Sequence, residues 1–274
     1  MPEGHTIHRH ARKQTEALVG QAVRTTSPQG RFAEGARRLD GRVLQAIDPH
    51  GKHLFYRWEG GDILHVHLGL FGKYKLFRTD PPPPPTENTR LAMHGDDATI
   101  YLAGPTICEL IDPSEEDDIR SRLGPDPLAN GSRSKKFAAF QANLARRRSP
   151  IGAALLDQKV IAGIGNVYRA EALFRTGIDP HLPANRLTPD AAERLFAESS
   201  RLLKQGEKAG RIITVDLHDV GARRRSDLRR GERLYAYGRT GQPCRRCRTP
   251  ISTGEMANRT MWWCSSCQPE GAEA

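Results

Sequence analysis

Four cysteines near the C-terminal end, spaced Cys244-x2-Cys247-x16-Cys264-x2-Cys267, constrain the fold of this chain more than any other feature. Two knuckles of that spacing can bring four thiolates to one point, and four sulfur donors around one ion select Zn²⁺ in a closed tetrahedron. A closed tetrahedron leaves no coordination position for water or substrate, so the expected metal is structural. Its binding, on the order of 10 kcal/mol, would fold a hairpin too small to hold a core of its own. The fifth cysteine, Cys108, stands alone and is expected to be a buried thiol. One cysteine cluster in an otherwise cysteine-poor chain fits a reducing compartment better than a disulfide framework. No stretch approaches the roughly eighteen apolar residues that span a bilayer, and the N-terminus lacks a signal-peptide apolar core, so a cytoplasmic protein without a membrane partner is expected.

Hydrophobic periodicity divides the rest of the chain. Residues 3–19 place Ile7, Ala11 and Leu18 near one helical face, with Gly20 as the stop. From Gly41 to about Ile111 short alternating runs take over, among them Val43–Ile47, His53–Tyr56 and Ile63–His67. Gly60-Gly61 and Gly95-Asp96-Asp97 punctuate them, which predicts an antiparallel sandwich or barrel. The Pro81–Pro85 run reads as a stiff excursion between strands, because strand-like sequence resumes at Thr89–Met93. Charge, Pro, Gly and Ser then concentrate in 113–136, and helical spacing follows over Pro150–Ala162, Asn166–Arg175 and about Thr188–Gly206. The fold class is therefore α+β. The expected domains are 1–112, a linker at 113–136, a helical domain at 137–237, the cysteine hairpin at 238–268 and a frayed tail at 269–274; 274 residues suit two domains of ordinary size.

Lys and Arg outnumber Asp and Glu by 42 to 32. The resulting pI near 9.7 favours a polyanionic partner, a phosphate backbone above all, over a small acidic substrate. Arginines cluster at Arg146–Arg148 and Arg223–Arg225, although such runs also serve as solvated faces. In Gly163-Ile164-Gly165-Asn166 two glycines permit close backbone approach, and Asn166 stands at a helix start where phosphate is attracted; a tight turn between packed helices would read the same. Arg259, ahead of Met261-Trp262-Trp263, is what a hairpin tip would present. At the other end, removal of Met1 would make the secondary amine of Pro2 the first atom of the chain. Such an amine forms a permanently cationic iminium with an aldehyde, an electron sink suited to opening sugars. Taken alone, many chains begin Met-Pro, and Glu3 reads as an ordinary first-turn carboxylate. His65 and His67 share one strand face without a third ligand, so a core or groove-facing role is expected of them, not metal binding.

Together, Met1-Pro2-Glu3-Gly4 at the start, Gly51-Lys52 in a turn, the Gly163-Ile164-Gly165-Asn166 turn and the terminal four-cysteine hairpin resemble the formamidopyrimidine-DNA glycosylase and endonuclease VIII family. The likeness runs over nearly the whole chain. Pro-Glu-Gly in place of Pro-Glu-Leu looks more like the endonuclease VIII branch, and the pattern is closest to its actinobacterial members. The resemblance implies an N-terminal helix with an antiparallel β-sandwich, then a helix-two-turn-helix domain carrying a zinc-finger hairpin. It implies a monomeric, bifunctional DNA glycosylase and abasic-site lyase of base excision repair, removing oxidised pyrimidines from damaged DNA, cytoplasmic and drawn to the nucleoid through DNA. One structural Zn²⁺ and no catalytic cofactor go with that reading. An oxidised-purine glycosylase and a noncatalytic DNA-binding protein of the same fold remain as alternatives.

Roles for single residues follow from the same resemblance. Pro2 would attack the sugar C1′, Glu3 would serve as acid and base, Lys52 would contact the phosphate beside the lesion, and Arg259 would grip flanking phosphates and favour the second elimination. Leu70 and Phe71 fall where the family places an intercalating wedge, and Arg122 and Asn166 match phosphate contacts. Cys244, Cys247, Cys264 and Cys267 would hold the metal. Two positions depart from the pattern. Gly69 stands where the endonuclease VIII branch has an amide side chain, which leaves the contact with the opposite base open. Thr6 stands where both branches commonly carry glutamate, which leaves the tuning of the amine open.

Overall fold

The chain begins with an anchored helix. In the computed structural model, which describes residues 2–273, α1 (Gly4–Leu18) turns Ile7, Ala11, Ala17 and Leu18 inward, so the predicted apolar face is the buried one. The expected removal of Met1 lies outside the described residues. Gly20, at φ +88°, ends the helix in the left-handed region that glycine enters without steric cost, and its N–H donates to Leu44 O at 2.8 Å. There follow β1 (Ala22–Thr26), α2 (Ala33–Leu39), β2 (Arg42–His50), β3 (His53–Trp58), β4 (Ile63–His67), β5 (Lys73–Phe77), β6 (Thr89–His94), β7 (Thr99–Ala103) and β8 (Ile107–Ile111). All pairings are antiparallel. β1 pairs with β2 through Ala22 and Val23 and with β6 through Arg24–Thr26. It thereby joins two four-stranded sheets, β5-β7-β6-β1 and β2-β3-β4-β8. Leu54, Tyr56, Trp58, Leu64 and Val66 of one sheet share a single core with Leu91, Met93, Ile100 and Leu102 of the other, which is the expected sandwich. Each such side chain contributes roughly 1.5–3 kcal/mol on burial.

The segment expected as a linker is structured. α3 (Pro113–Ser121) occupies its first part: Asp112 Oδ1 accepts from Glu115 N at 2.9 Å while Glu115 Oε2 accepts from Asp112 N at 2.9 Å, with Pro113 at the first helical position. Ile119 packs against Phe55, Ile63 and Ile111 on the second face of the β3-β4-β8 sheet, and the Arg120 guanidinium lies 4.4 Å from the Phe55 ring centroid. Buried Glu116 accepts from Arg57 at 2.9 Å and from Arg120 at 2.6 Å. The acidic residues at the start of the expected linker are thus a helix cap and one paired interior carboxylate. The chain divides into two compact units after Arg122.

The second unit holds α4 (Arg133–Ala145), α5 (Ile151–Ala154), α6 (Asn166–Thr176) and α7 (Pro189–Ala209) around Phe140, Leu155, Tyr168, Leu173 and Phe196. Of the helix expected over Pro150–Ala162, one turn exists. Side chains beyond it compete with the helical backbone: Asp157 Oδ1 accepts from Lys159 N at 2.9 Å, and Gln158 Oε1 accepts from Gly163 N at 3.0 Å. α6 and α7 end as predicted and nearly as predicted, at Gly177 and Gly210, both with positive φ.

Two strands, β9 (Ser252–Glu255) and β10 (Thr260–Trp263), form the cysteine hairpin. The chain reaches it through residues 235–237, fastened by fully buried Glu171, which accepts 2.8 Å bonds from the N–H groups of Tyr235, Ala236 and Tyr237 and another from Thr214 Oγ1. The tail expected to fray is docked as far as Glu273: Asp179 N donates to Ala272 O at 3.0 Å, Gly271 N to Asp179 Oδ2 at 3.0 Å, and Arg194 to Glu273 O at 2.7 Å. Ala274 lies outside the described residues. Glu171→Ala strands four donors, so chemical unfolding should show a loss of about 3 kcal/mol; a loss below about 1 kcal/mol would show that water or a rearranged backbone satisfies them.

Candidate functional site

Glu3 caps α1 in extended conformation, accepts Thr6 N at 2.8 Å and Ile7 N at 3.3 Å through its carbonyl, and has 0% of its surface exposed. A glutamate at the start of a chain is ordinarily solvated. Here it is withdrawn from water beside half-buried Pro2. Burial also lowers the next titratable group, His5, to about 4, so its imidazole is neutral and bonds Thr6 Oγ1 through Nε2 at 3.1 Å. Thr6, one of the two departures, therefore serves its neighbour. Deeper along the helix Gln14 Oε1 accepts from the Tyr56 hydroxyl at 2.8 Å, and Tyr56 and Tyr74 share a 2.7 Å hydroxyl contact, which ties α1 to the sandwich.

Lys52 sits in the β2–β3 hairpin turn, where Gly51 takes φ +58° and His50 pairs with His53. His53 Nδ1 lies 2.9 Å from His65 Nε2, and His65 Nδ1 lies 3.1 Å from Glu109 Oε1. Burial is the main reason His53 falls to about 3, with neighbouring His67, His65, His50 and Lys52 adding to it. The two histidines, expected in the core or facing a groove, thus belong to a hydrogen-bonded cluster, and the described residues hold no metal-ligating group that includes them. Cys108 is half-buried, with its thiol pushed up to about 12 by burial.

After His67 comes the apolar loop. Leu70 is 48% and Phe71 85% exposed, an unusual display for adjacent large apolar residues. Glycines hold the loop: Gly72 N donates to Leu68 O at 3.0 Å, and a Cβ on Gly72 would meet that same carbonyl oxygen at 2.3 Å. Gly69, at φ +65°, bonds His67 Nδ1 through its N–H at 3.2 Å. A Cβ there would stand 1.8 Å from Thr106 Oγ1. A side chain at position 69 would therefore have to displace Thr106 as well as adopt positive φ.

Arg122 is the C-cap of α3 and donates to Asp118 O at 2.8 Å from an exposed position. In the second unit, Asn166 opens α6 with its side chain already engaged: Nδ2 donates to Thr260 O at 3.1 Å and Oδ1 accepts from Arg169 at 2.6 Å. Arg169, with 0% of its surface exposed, also donates to Gly152 O at 3.2 Å, Met256 O at 3.3 Å and Thr260 O at 3.1 Å. These bonds hold both ends of the hairpin tip. Between them, Ala257 and Asn258 both take φ +56°, Met256 N donates to Arg259 O at 2.9 Å, and Arg259 emerges exposed from the turn. The four cysteine sulfurs lie within 4.8 Å of one another, with 3.8 Å between Cys244 and Cys267 and 3.4 Å between Cys247 and Cys264. A tetrahedron with arms of about 2.3 Å sets its sulfurs about 3.8 Å apart, so the donor set and spacing fit such a metal site.

Sequence reading missed Arg169, His53 and Glu109. The first had a usable signal, since three residues after Asn166 it must share that helix face. Glu109 had none, because only the β4–β8 register sets it opposite His65.

A sandwich unit followed by a helical unit with a four-cysteine hairpin is the arrangement of the formamidopyrimidine-type DNA glycosylases. Family models agree: that of the formamidopyrimidine-DNA glycosylase N-terminal domain matches residues 1–105, and that of its H2TH domain matches residues 123–216. The chain belongs to the formamidopyrimidine-DNA glycosylase and endonuclease VIII family of DNA repair. Endonuclease 8 1 of Mycobacterium tuberculosis is 42% identical over 98% of this chain and 100% of its own length. The crystal structure of the MutM (Fpg) protein from Thermus thermophilus is 31% identical, with a TM-score of 0.77 over 99% of this chain and 100% of that one. MutM in complex with carbocyclic 8-oxo-G containing DNA is 26% identical, with a TM-score of 0.80 over 98% of this chain and 100% of that one. No helix among the described residues is long and apolar enough to cross a membrane.

The crowding at position 69 is testable. Gly69→Gln should cost about 2–4 kcal/mol from positive φ and overpacking, and Thr106→Gly should recover the overpacking share in the double variant. Equal losses in single and double variants would show that Thr106 is not what excludes the side chain.

Proposed function

We propose that this chain is a bifunctional DNA glycosylase and abasic-site lyase acting on oxidised pyrimidines, with Pro2 as nucleophile once Met1 is removed. The observation that carries this reading is the fully buried Glu3 at the head of an immobilised helix, one residue from the proline. The Pro2 nitrogen lone pair attacks C1′ of the damaged nucleotide, the glycosidic bond breaks with its electron pair leaving on the base, and the proton given up by the Pro2 N–H is taken up by the departing base. Glu3 protonates the sugar ring oxygen as the ring opens, giving the iminium. That cation acidifies C2′, and loss of a C2′ proton expels the 3′ phosphate; a second elimination expels the 5′ phosphate, and water then hydrolyses the adduct. An N-terminal amine suits the task, because α-amino groups titrate near 8 and lysines near 10.4, leaving far more of the former neutral at pH 7.

Lys52 is assigned to the phosphate beside the lesion and Leu70–Phe71 to the gap left by the extruded nucleotide, at an unstacking cost of a few kcal/mol. Arg122, Arg259 and the backbone N–H of Asn166 at the head of α6 are assigned to phosphates. Cys244, Cys247, Cys264 and Cys267 would hold Zn²⁺, whose contribution is to fix the hairpin that presents Arg259. The preference for pyrimidines is supported by the 42% identity to a protein named as an endonuclease 8. An oxidised-purine preference is the second reading, favoured by the likeness to MutM bound to carbocyclic 8-oxo-G DNA.

Borohydride should trap a covalent adduct between the protein and duplex DNA carrying thymine glycol, and Pro2→Gly should trap little. Absence of a wild-type adduct would overturn the enzyme reading, and an adduct formed with 8-oxoguanine DNA alone would overturn the pyrimidine preference. Arg259→Ala should flatten the plot of log affinity against log salt by about 0.9, the release expected for one phosphate contact; an unchanged slope would remove Arg259 from the interface.

A further inference from the structure

One face of the β3-β4-β8 sheet carries a column of rings that the reaction scheme leaves without a task. Cross-strand register sets His53 opposite His67, Phe55 opposite His65, and His65 opposite Glu109. The Phe55 and His65 rings stack at 5.0 Å with 10° between planes, and His53 lies 13° from the plane of His65. Arg120 closes the far end over Phe55. The hydrogen bonds have a direction. The Glu109 oxygen serves as the acceptor, so His65 Nδ1 carries the proton it donates. In the neutral ring His65 Nε2 then keeps its lone pair and accepts from His53 Nδ1, which leaves the lone pair of His53 on Nε2. His67 takes the opposite form: its Nδ1 accepts the Gly69 N–H, so its Nε2 bears the proton. Burial lowers His65 and His67 as well as His53, which keeps the column uncharged beside Lys52 and His50.

The column touches two elements given to DNA binding under the proposed function. His53 directly follows Lys52. His67 packs on His53, with ring centroids 4.8 Å apart, and also bonds the backbone N–H of Gly69, the residue before Leu70. We propose that Glu109, His65 and His53 form a positioning chain that holds the Lys52 turn and the Leu70–Phe71 loop in one fixed relation, with Glu109 selecting the tautomers. The inference rests on the assignment of Lys52 and the loop to DNA. Glu109 and His65 touch no reacting atom in this scheme; they act through His53 and His67. A mobile lysine turn would still bind DNA but would reach the reacting geometry less often, so the chain acts on the rate of chemistry more than on affinity.

Single-turnover nicking and borohydride trapping on thymine-glycol duplex, with DNA affinity measured at the same salt, test this in four proteins. His65→Phe keeps a planar ring for stacking on Phe55 and deletes both hydrogen bonds. Glu109 has a half-exposed side chain, so Glu109→Ala and Glu109→Gln probe the chain with little risk to folding, and the glutamine oxygen can still accept from His65 Nδ1. His65→Phe and Glu109→Ala are expected to lower the single-turnover rate at least tenfold while affinity stays within threefold, and Glu109→Gln is expected to recover to within threefold of wild type. Wild-type rates in Glu109→Ala, or an equal deficit in Glu109→Gln and Glu109→Ala, would overturn the positioning chain while leaving the Pro2 reading intact. A wild-type protein that neither nicks nor traps would overturn the Pro2 reading, and this one with it.

Discussion

The burial of one stripe of α1 is the constraint on which the proposed chemistry of this protein depends. Chain ends ordinarily fray, because nothing compensates the entropy of fixing them. Here Ile7, Ala11 and Leu18 enter the sandwich core, and the Gln14, Tyr56 and Tyr74 side chains add a buried polar tie. The first turn of α1 inherits that order, so Glu3 sits at a fixed depth and Pro2 beside it. In the proposed reaction a nucleophile at a terminus gains a low basicity and gives up the packing that an internal residue enjoys. Anchoring the helix restores it.

The second unit solves a related difficulty by different means. A two-stranded hairpin cannot hold an arginine in place by its own core. Four cysteines converge at its base, and the buried Arg169 guanidinium fixes its tip by bonding carbonyls on both sides of the Ala257-Asn258 turn. Glu171 does the same for the chain leading in. Interior charge is concentrated where the backbone has no ladder to satisfy it, which is where charge-assisted bonds hold most firmly.

Much of this was legible in the sequence, and the reasons differ by element. α1, β2, β3, β4 and β6 were readable because their faces are set by local periodicity, and the cysteine hairpin because its spacing is local too. The division between units does fall within 113–136, but residues 113–121 fold as α3, because a capping box and a linker share a composition; only the pairing of Glu116 with Arg57, 59 residues away, separates them. The helix expected over Pro150–Ala162 fails after one turn because Asp157 and Gln158 bond neighbouring backbone, which apolar spacing does not register. At the candidate site, residue identities followed from the family resemblance, whereas the histidine column and the Thr106 obstruction depend on strand register and loop packing.

The bonds of Arg169 have a consequence for how the second unit comes apart. Asn166, Arg169, Met256 and Thr260 belong to segments some 90 residues apart, yet they are satisfied together or not at all. The hairpin therefore cannot open as an independent flap: releasing its tip strands a buried guanidinium at the first turn of α6. Cysteine cluster, hairpin tip and glycine turn should form one cooperative opening unit, protected from amide exchange to a common level, so that an event at the cysteines is felt at the start of α6.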